Sequence, residues 1–197
     1  MIKLFLSILI VAGSFTAYAG NPGKEVLKVK ADQSSVNWTA YKVTGKHNGS
    51  VAVKDGSLNV KDGLLLGGSL TMDMTSITVL DQQGGGKTKL EGHLKSDDFF
   101  GVENHPTATL VIKKAEAKGS GLYTVTADLT IKGITHPITF DAVVKHEPKL
   151  LVATADLKVD RTLYDIRYGS NKFYDDLGDK AIYDEFDLSV KIVAENN

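Results

Sequence analysis

LYTVTADLTIKGITHPITFDAVV, residues 122–144, decides how the rest of the chain is read. Tyr123, Val125, Ala127, Leu129 and Ile131 alternate with Thr124, Thr126 and Asp128. Past Gly133 the pattern resumes, with Ile138, Phe140, Ala142 and Val144 set against Thr139 and Asp141. A strand turns successive side chains to opposite faces, so a period of two with one apolar side marks half-buried strands. A glycine between two such runs marks a tight antiparallel turn.

The same writing continues outward in both directions. Upstream, Val36, Trp38 and Ala40 share a face. Val51 and Val53 are followed by Leu58 and Val60, with Asp55-Gly56 between them predicting a hairpin. Lys61-Asp62-Gly63 predicts another turn, and Leu64, Leu66, Gly68, Leu70, Met72 and Met74 form a long face whose reverse starts with Leu65 and then turns polar. Ala108, Leu110 and Ile112 come after Pro106. Downstream, Leu151, Ala153, Ala155, Leu157 and Val159 make one run, and Phe186, Leu188, Val190 and Ile192 the last. About eight strands, several near ten residues, are joined by short turns with no long helical pattern between them. This predicts an all-β fold, an eight-stranded antiparallel up-and-down barrel rather than a parallel α/β sheet. A transmembrane barrel alternates too, with its apolar face outward and aromatic girdles at its strand ends. Such girdles are not evident, so the apolar face is expected inside.

Composition bounds the chemistry. Met1 to Gly20 carries Lys3, an apolar run from Leu4 to Ala12 and the small-residue pattern Ala17-Tyr18-Ala19. This is the pattern of a secretory signal peptide, 1–19, cleaved after Ala19, and the run is shorter than the ~20 apolar residues a membrane span needs. Residues 20–197 are then expected to be one exported domain, periplasmic, with secretion also open. There are no cysteines, which excludes disulfides, thiol catalysis and Cys-ligated zinc. A net charge of −1 makes no case for nucleic acid.

Two stretches interrupt the alternation. In KTKLEGHLKSDDFFG, residues 87–101, Leu90 and Leu94 fall four apart, as do His93 and Asp97, predicting a short helix near 88–98 followed by Phe99 and Phe100. Just before it, Gln82 to Gly86 reads as a flexible loop without a phosphate-cradling pattern. The second interruption, residues 160–186, holds Arg161, Tyr164, Arg167 and several aspartates whose spacing does not fit a calcium loop. Arg161 and Arg167 could pair with Asp160 and Asp165, or grip an anionic head group by bidentate bonds. No two histidines have the spacing of a helical metal site, and none is expected. His105 and His136 each precede a proline and read as turn residues at strand entrances.

The inward face is rich in small residues: Ala40, Gly68, Ala108, Ala127, Ala142, Ala153 and Ala155. An eight-stranded barrel either fills itself with side chains or holds one small ligand, and small inward residues favour the second. By face alone, Trp38, Leu70, Met72, Leu110, Val125, Leu129, Phe140 and Leu157 are the candidates for lining such a cavity.

LEGHLKSDDFF (90–100), ENHPTATLVI (103–112), ADLTIKGITHPITFDAVV (127–144) and DRTLYDIRYGS with LGDKAIYDEFDLSVKI (within 160–192) resemble the YceI-like family of polyisoprenoid-binding proteins. The resemblance runs from about Ala31 to Ile192. It implies an exported, extended lipocalin-like barrel that binds, and could carry or store, an isoprenoid-type lipid: a polyprenyl chain, a quinone or a prenyl phosphate. It implies no cofactor beyond that lipid, transient membrane contact, and a monomer or homodimer. In that fold the helical segment packs beside one barrel opening, with Phe99 and Phe100 on apolar surface and His93 and Asp97 as polar groups near the mouth. Arg161, Tyr164 and Arg167 join them as ligand-binding candidates. The chain departs from the family at Glu91-Gly92, where many relatives carry Arg-Asp. Two other readings stay open: an enzyme on the same scaffold using His93 and Asp97 for proton transfer, and a ligand-free interaction protein with a filled interior. No nucleophile motif supports the enzyme.

Overall fold

The computed structural model describes residues 23–195, so the leader and cleavage site expected from the sequence lie outside the described residues. Among the described residues nine strands form one antiparallel sheet: β1 Lys24–Val29, β2 Ser35–Lys42, β3 Gly45–Lys61, β4 Leu64–Val79, β5 Thr107–Gly119, β6 Leu122–Ile131, β7 Ile134–His146, β8 Leu150–Asp160 and β9 Ile182–Glu195. One helix, α1 Gly84–Lys95, follows β4. Each strand from β2 to β9 pairs with its sequence neighbour, and β2 also pairs with β9, which closes an up-and-down barrel. The ninth strand does not widen it. β1 pairs with the far half of β3 (Leu27 opposite Leu58), while β2 pairs with its near half (Trp38 opposite Gly49). Both also touch β9, so β1 and β2 lie end to end as one interrupted stave, and the barrel has eight positions. β1 was not legible as a strand, because only Leu27 and Val29 of its six residues face the core.

The apolar face is inside and the outer wall carries Asp128, Asp141, Lys158 and Lys191, the reverse of a barrel with a lipid-facing apolar band. No described helix is long and apolar enough to cross a membrane. β6 and β7 pair residue by residue, Leu122 to Ile131 against Val143 to Ile134. The turn at Lys132-Gly133 has both residues at positive φ (51° and 74°), the backbone whose twist matches paired strands.

Four expectations are corrected. Asp55-Gly56 is not a hairpin: β3 runs straight through it, and the pairing with β4 slips between Val53 and Asp55. That bulge moves the inward set from Val51 and Val53 to Leu58 and Val60, the same change of parity a hairpin would produce. A second slip between Asn59 and Val60 leaves Leu64 and Leu66 exposed and buries Leu65 instead. Gly84 to Gly86 are the first turn of α1, not a loop. His136 is no turn residue: it lies within β7 in phase with Ile138 and Phe140, with its ring edge-on to Tyr164 at 5.4 Å.

β7 and β8 share hydrogen bonds only from Val143–Thr154 to His146–Leu151. Towards the other end, Ile134–Ala142 and Ala155–Asp160 run without a ladder, leaving a seam in the wall. Pro137, which has no N–H to give, sits on that unladdered edge, where a strand proline is tolerated.

Candidate functional site

The barrel encloses a cavity of about 190 Å³. Its wall is hydrocarbon; only Trp38, Thr154, Arg161 and Tyr183 among the lining residues carry a polar side-chain atom. All eight wall candidates read from the sequence line it: Trp38, Leu70, Met72, Leu110, Val125, Leu129, Phe140 and Leu157. Five of the seven small inward residues do so as well, namely Ala40, Ala108, Ala142, Ala153 and Ala155. The other two are small for different reasons. Ala127 is fully buried away from the cavity. At Gly68 a Cβ would come within 2.3 Å of the Ser57 carbonyl, so the backbone of β3 needs the glycine there.

One end of the barrel is built differently from the other. The Val43-Thr44 turn, α1 with residues 96–105, the Lys132-Gly133 turn and the loop 161–181 all gather at it. From the helical side, Leu94, Phe99 and Phe100 reach the cavity and close part of this end. His93 does not reach it. Its ring stands edge-on to Phe99 (4.8 Å) and Tyr168 (4.6 Å), joining the helical segment to the 161–181 loop. Its Nε2 meets Asp98 Oδ2 at 3.3 Å, not Asp97, so the proposed proton-transfer pair is not assembled. Asp97 instead presents its main-chain carbonyl to Lys132 Nζ at 3.0 Å, and the same ammonium donates to the Asp165 carbonyl at 3.4 Å. Lys132, unflagged by any motif, thereby lashes the β6–β7 turn to both interrupting segments.

Loop 161–181 carries the buried charge of the site. Arg161 is only 4% exposed and lines the cavity. Its Nε donates to the Tyr183 carbonyl (3.0 Å), and its two terminal nitrogens donate to the carbonyls of Ile166 (2.7 Å) and Ile182 (3.0 Å). Its acidic neighbour is Asp184 at 3.8 Å, not Asp160, whose carboxylate is taken by Lys172 and Thr162. Burial lowers the Arg161 pKa, opposed by Asp184 and Asp160. Arg167 pairs with Asp165 at 2.6 Å as read, but on the surface, with its guanidinium 4.9 Å from the Phe173 ring centre. Tyr164 is buried against His136 and is absent from the cavity lining, as is Arg167. Tyr183 is 56% exposed yet lines the cavity, so the cavity meets the surface beside Arg161. Thr154, which points outward from β8, also lines it, where the β7–β8 ladder stops.

Glu91 has a structural task here. Its Oε1 accepts from Thr78 Oγ1 (2.7 Å) and from the Val79 amide (2.9 Å), holding α1 against the end of β4. Those two hydrogen bonds, with Lys87 nearby, lower its pKa below the ordinary 4.5. A depressed carboxylate stabilises the docked helix fully above that ordinary value and loses its contribution as pH falls through the folded value. Amide exchange in α1 is therefore expected to accelerate relative to the barrel strands on acidification below about pH 4.5. Glu91→Gln should remove this acid step; an unchanged pH response in the variant would assign the step to another group.

UPF0312 proteins of Shewanella denitrificans (26% identical, over 72% of this chain and 73% of the relative) and Vibrio cholerae (28%, over 72% and 74%) are similar in sequence. Among solved structures, Burkholderia cenocepacia BcnA superposes with a TM-score of 0.66 at 20% identity, over 84% of this chain and 99% of that one. A polyisoprenoid binding domain from Saccharophagus degradans gives 0.64 at 14%, over 88% and 100%. At these identities the likeness is one of fold. The YceI-like domain model matches residues 27–194, from the buried Leu27 of β1 to the buried Ala194 of β9, and on that match the chain belongs to the YceI-like family.

Proposed function

We propose that this barrel binds an isoprenoid-type lipid in its central cavity and exchanges it with membranes in the periplasm. The observation that carries the reading is an almost wholly hydrocarbon cavity inside the barrel, lined by five alanines. The Saccharophagus neighbour of the same fold is a polyisoprenoid binding domain, which supports the ligand class. A chain buried here gains roughly 0.8 kcal/mol per CH₂ over water but little over a bilayer, where its tail is already in hydrocarbon. Such a site suits reversible exchange, with selectivity set by cavity shape and by its few polar groups.

An apolar cavity of about 150 Å³ stays dry and takes a benzene-sized group, so about 190 Å³ holds on the order of one isoprene unit without rearrangement. A longer chain requires the wall to part. Met72 and Met74 on the lining have the flexible, unbranched side chains for this, and the unladdered β7–β8 seam has no hydrogen bonds to break. Val43, Leu163, Tyr168, Phe173, Tyr174 and Tyr183 are all exposed around the same end, an apolar and aromatic rim suited to brief membrane contact. The leader read from the sequence supports the periplasmic location.

The test is mass spectrometry of an organic extract from protein purified out of its native envelope without detergent. A stoichiometric isoprenoid is expected. A blank extract, repeated after incubation with membranes, overturns the reading and moves weight to an interaction protein. A second measurement checks the place of binding. Ala155→Phe puts a ring into the cavity and is expected to weaken binding of an isoprenoid probe at least tenfold while the far-UV spectrum is retained. Undiminished affinity in this variant would put the ligand outside the barrel.

A further inference from the structure

Beyond Val143–Thr154 the β7–β8 ladder stops, and no side chain takes its place. Among the described residues no side-chain hydrogen bond or ion pair crosses the seam. Asp141 accepts from Thr124 of β6 at 2.9 Å, and Lys158 donates to Asp187 of β9 at 2.6 Å. β4 also outruns its neighbour β5, from Met74 to Val79, but α1 is fastened to that stretch through Glu91. The residues flanking the seam account for its being open. Carried past Val143–Thr154, the register would set Ala142 opposite Ala155 and Asp141 opposite Asp156. Two alanines offer little side-chain contact across the gap, and like charges directly opposite destabilise a strand pair. Further along, Pro137 has no N–H to lend to a ladder.

We infer that the lipid enters and leaves sideways, through this seam between the end of the ladder and Tyr164, rather than along the barrel axis. The inference rests on the lipid-binding reading above and adds the route. Three of the five lining alanines, Ala142, Ala153 and Ala155, stand beside the point where the ladder ends, so the wall carries least side chain where it is untied. Thr154 is exposed on the outer face and also lines the cavity, so the cavity touches the outside there. Tyr164, buried against His136, bounds the seam at the loop end. Both axial routes are harder. The far end is packed with Leu27, Val60, Tyr123 and Leu151, all buried and off the cavity lining. At the loop end Leu94, Phe99 and Ile166 are buried, and passage beside Arg161 must undo the three hydrogen bonds its guanidinium makes to main-chain carbonyls. Parting β7 from β8 breaks no hydrogen bond, because their facing N–H and C=O groups are not bonded to one another. A prenyl chain is narrow, flexible and apolar. It can slip between the strands segment by segment while its head group stays in water.

The chain has no cysteine, so Asp141→Cys with Asp156→Cys introduces a single thiol pair, on the outer face and across the seam. A short bis-maleimide joins the two. The control bridge is Lys145→Cys with Val152→Cys, whose strands are already laddered at that pair. The probe is farnesol in phosphatidylcholine vesicles. Protein is separated from the vesicles at timed intervals, and the farnesol it holds is counted by mass spectrometry. The seam bridge is expected to slow uptake at least tenfold against the same variant unbridged, and to slow release when it is made after loading. The control bridge should leave both rates unchanged. Uptake at the unbridged rate through a bridged seam, or equal slowing by the control bridge, overturns the lateral route and leaves lipid binding intact; the first result would place entry at the opening beside Arg161 and Tyr183. Failure of the parent protein to take up farnesol at all overturns the lipid reading and this inference together.

Discussion

Gly49→Ala is expected to lower the stability of the barrel by about 3 kcal/mol or more, the upper range for forcing atoms into a packed site. The added Cβ would stand 1.9 Å from the Thr78 carbonyl oxygen and 2.4 Å from the indole of Trp38. The first is backbone of the adjacent strand β4, which pairs there through Gly49–Val79 and cannot retreat alone. The second is a ring already buried at 7% exposure. Denaturant titration followed by tryptophan fluorescence measures the loss, and Trp38 as the sole tryptophan reports on this very contact. Gly92→Ala is the control. It lies inside α1 with no atom within 4 Å of a new Cβ, so it should stabilise by about 0.5–1 kcal/mol through helix propensity. A Gly49→Ala variant as stable as its parent would mean that β3 and β4 can separate here at little cost.

Arg161→Met is expected to cost a comparable amount, about 3–5 kcal/mol. The substitution keeps the apolar stem but strips hydrogen bonds from three carbonyls, those of Tyr183, Ile166 and Ile182, and leaves Asp184 without its guanidinium. Unmade bonds of buried groups, rather than a lost ion pair, dominate the expected effect. Arg161→Lys should recover little of it, since one ammonium cannot reach three carbonyls set in a fork around a planar group. Adding Asp184→Asn to Arg161→Met should recover part of the loss by removing the stranded charge. Thermal unfolding of the four proteins checks this. Equal stability of Arg161→Met and the parent would free Arg161 from its structural task and revive it as a head-group ligand.

The wall of the cavity was legible because it depends on one local property. Alternation says which residues share a face, and closing a sheet with its apolar face inward makes that face the interior. Trp38, Leu110, Phe140 and Leu157 come from four different strands, yet each is placed by its own neighbours alone. His136 is in phase with Ile138 and Phe140, but the proline after it is equally a turn signal, and local sequence does not separate the two. The Asp55-Gly56 bulge was not within reach. Hairpin and bulge both shift the parity of a run, and only the partner strand tells them apart: β4 runs beside β3 on both sides of the slip.

By itself, then, the sequence determined an all-β chain with its apolar side inward, about eight staves long enough to close, and a hydrocarbon interior left open by small residues. Those are consequences of period and side-chain volume, which are written locally. Closure decided the rest. Arg161 meets Asp184 across 23 positions of chain, Glu91 finds the end of β4, and Lys132 reaches Asp97 from 35 residues away. Trp38 is left with an unmet N–H because the strand facing it offers glycine and the surrounding wall offers only carbon. Polar groups act over about 3 Å, and residues far apart in the chain come within that distance only once strand register, bulges and twist are settled together.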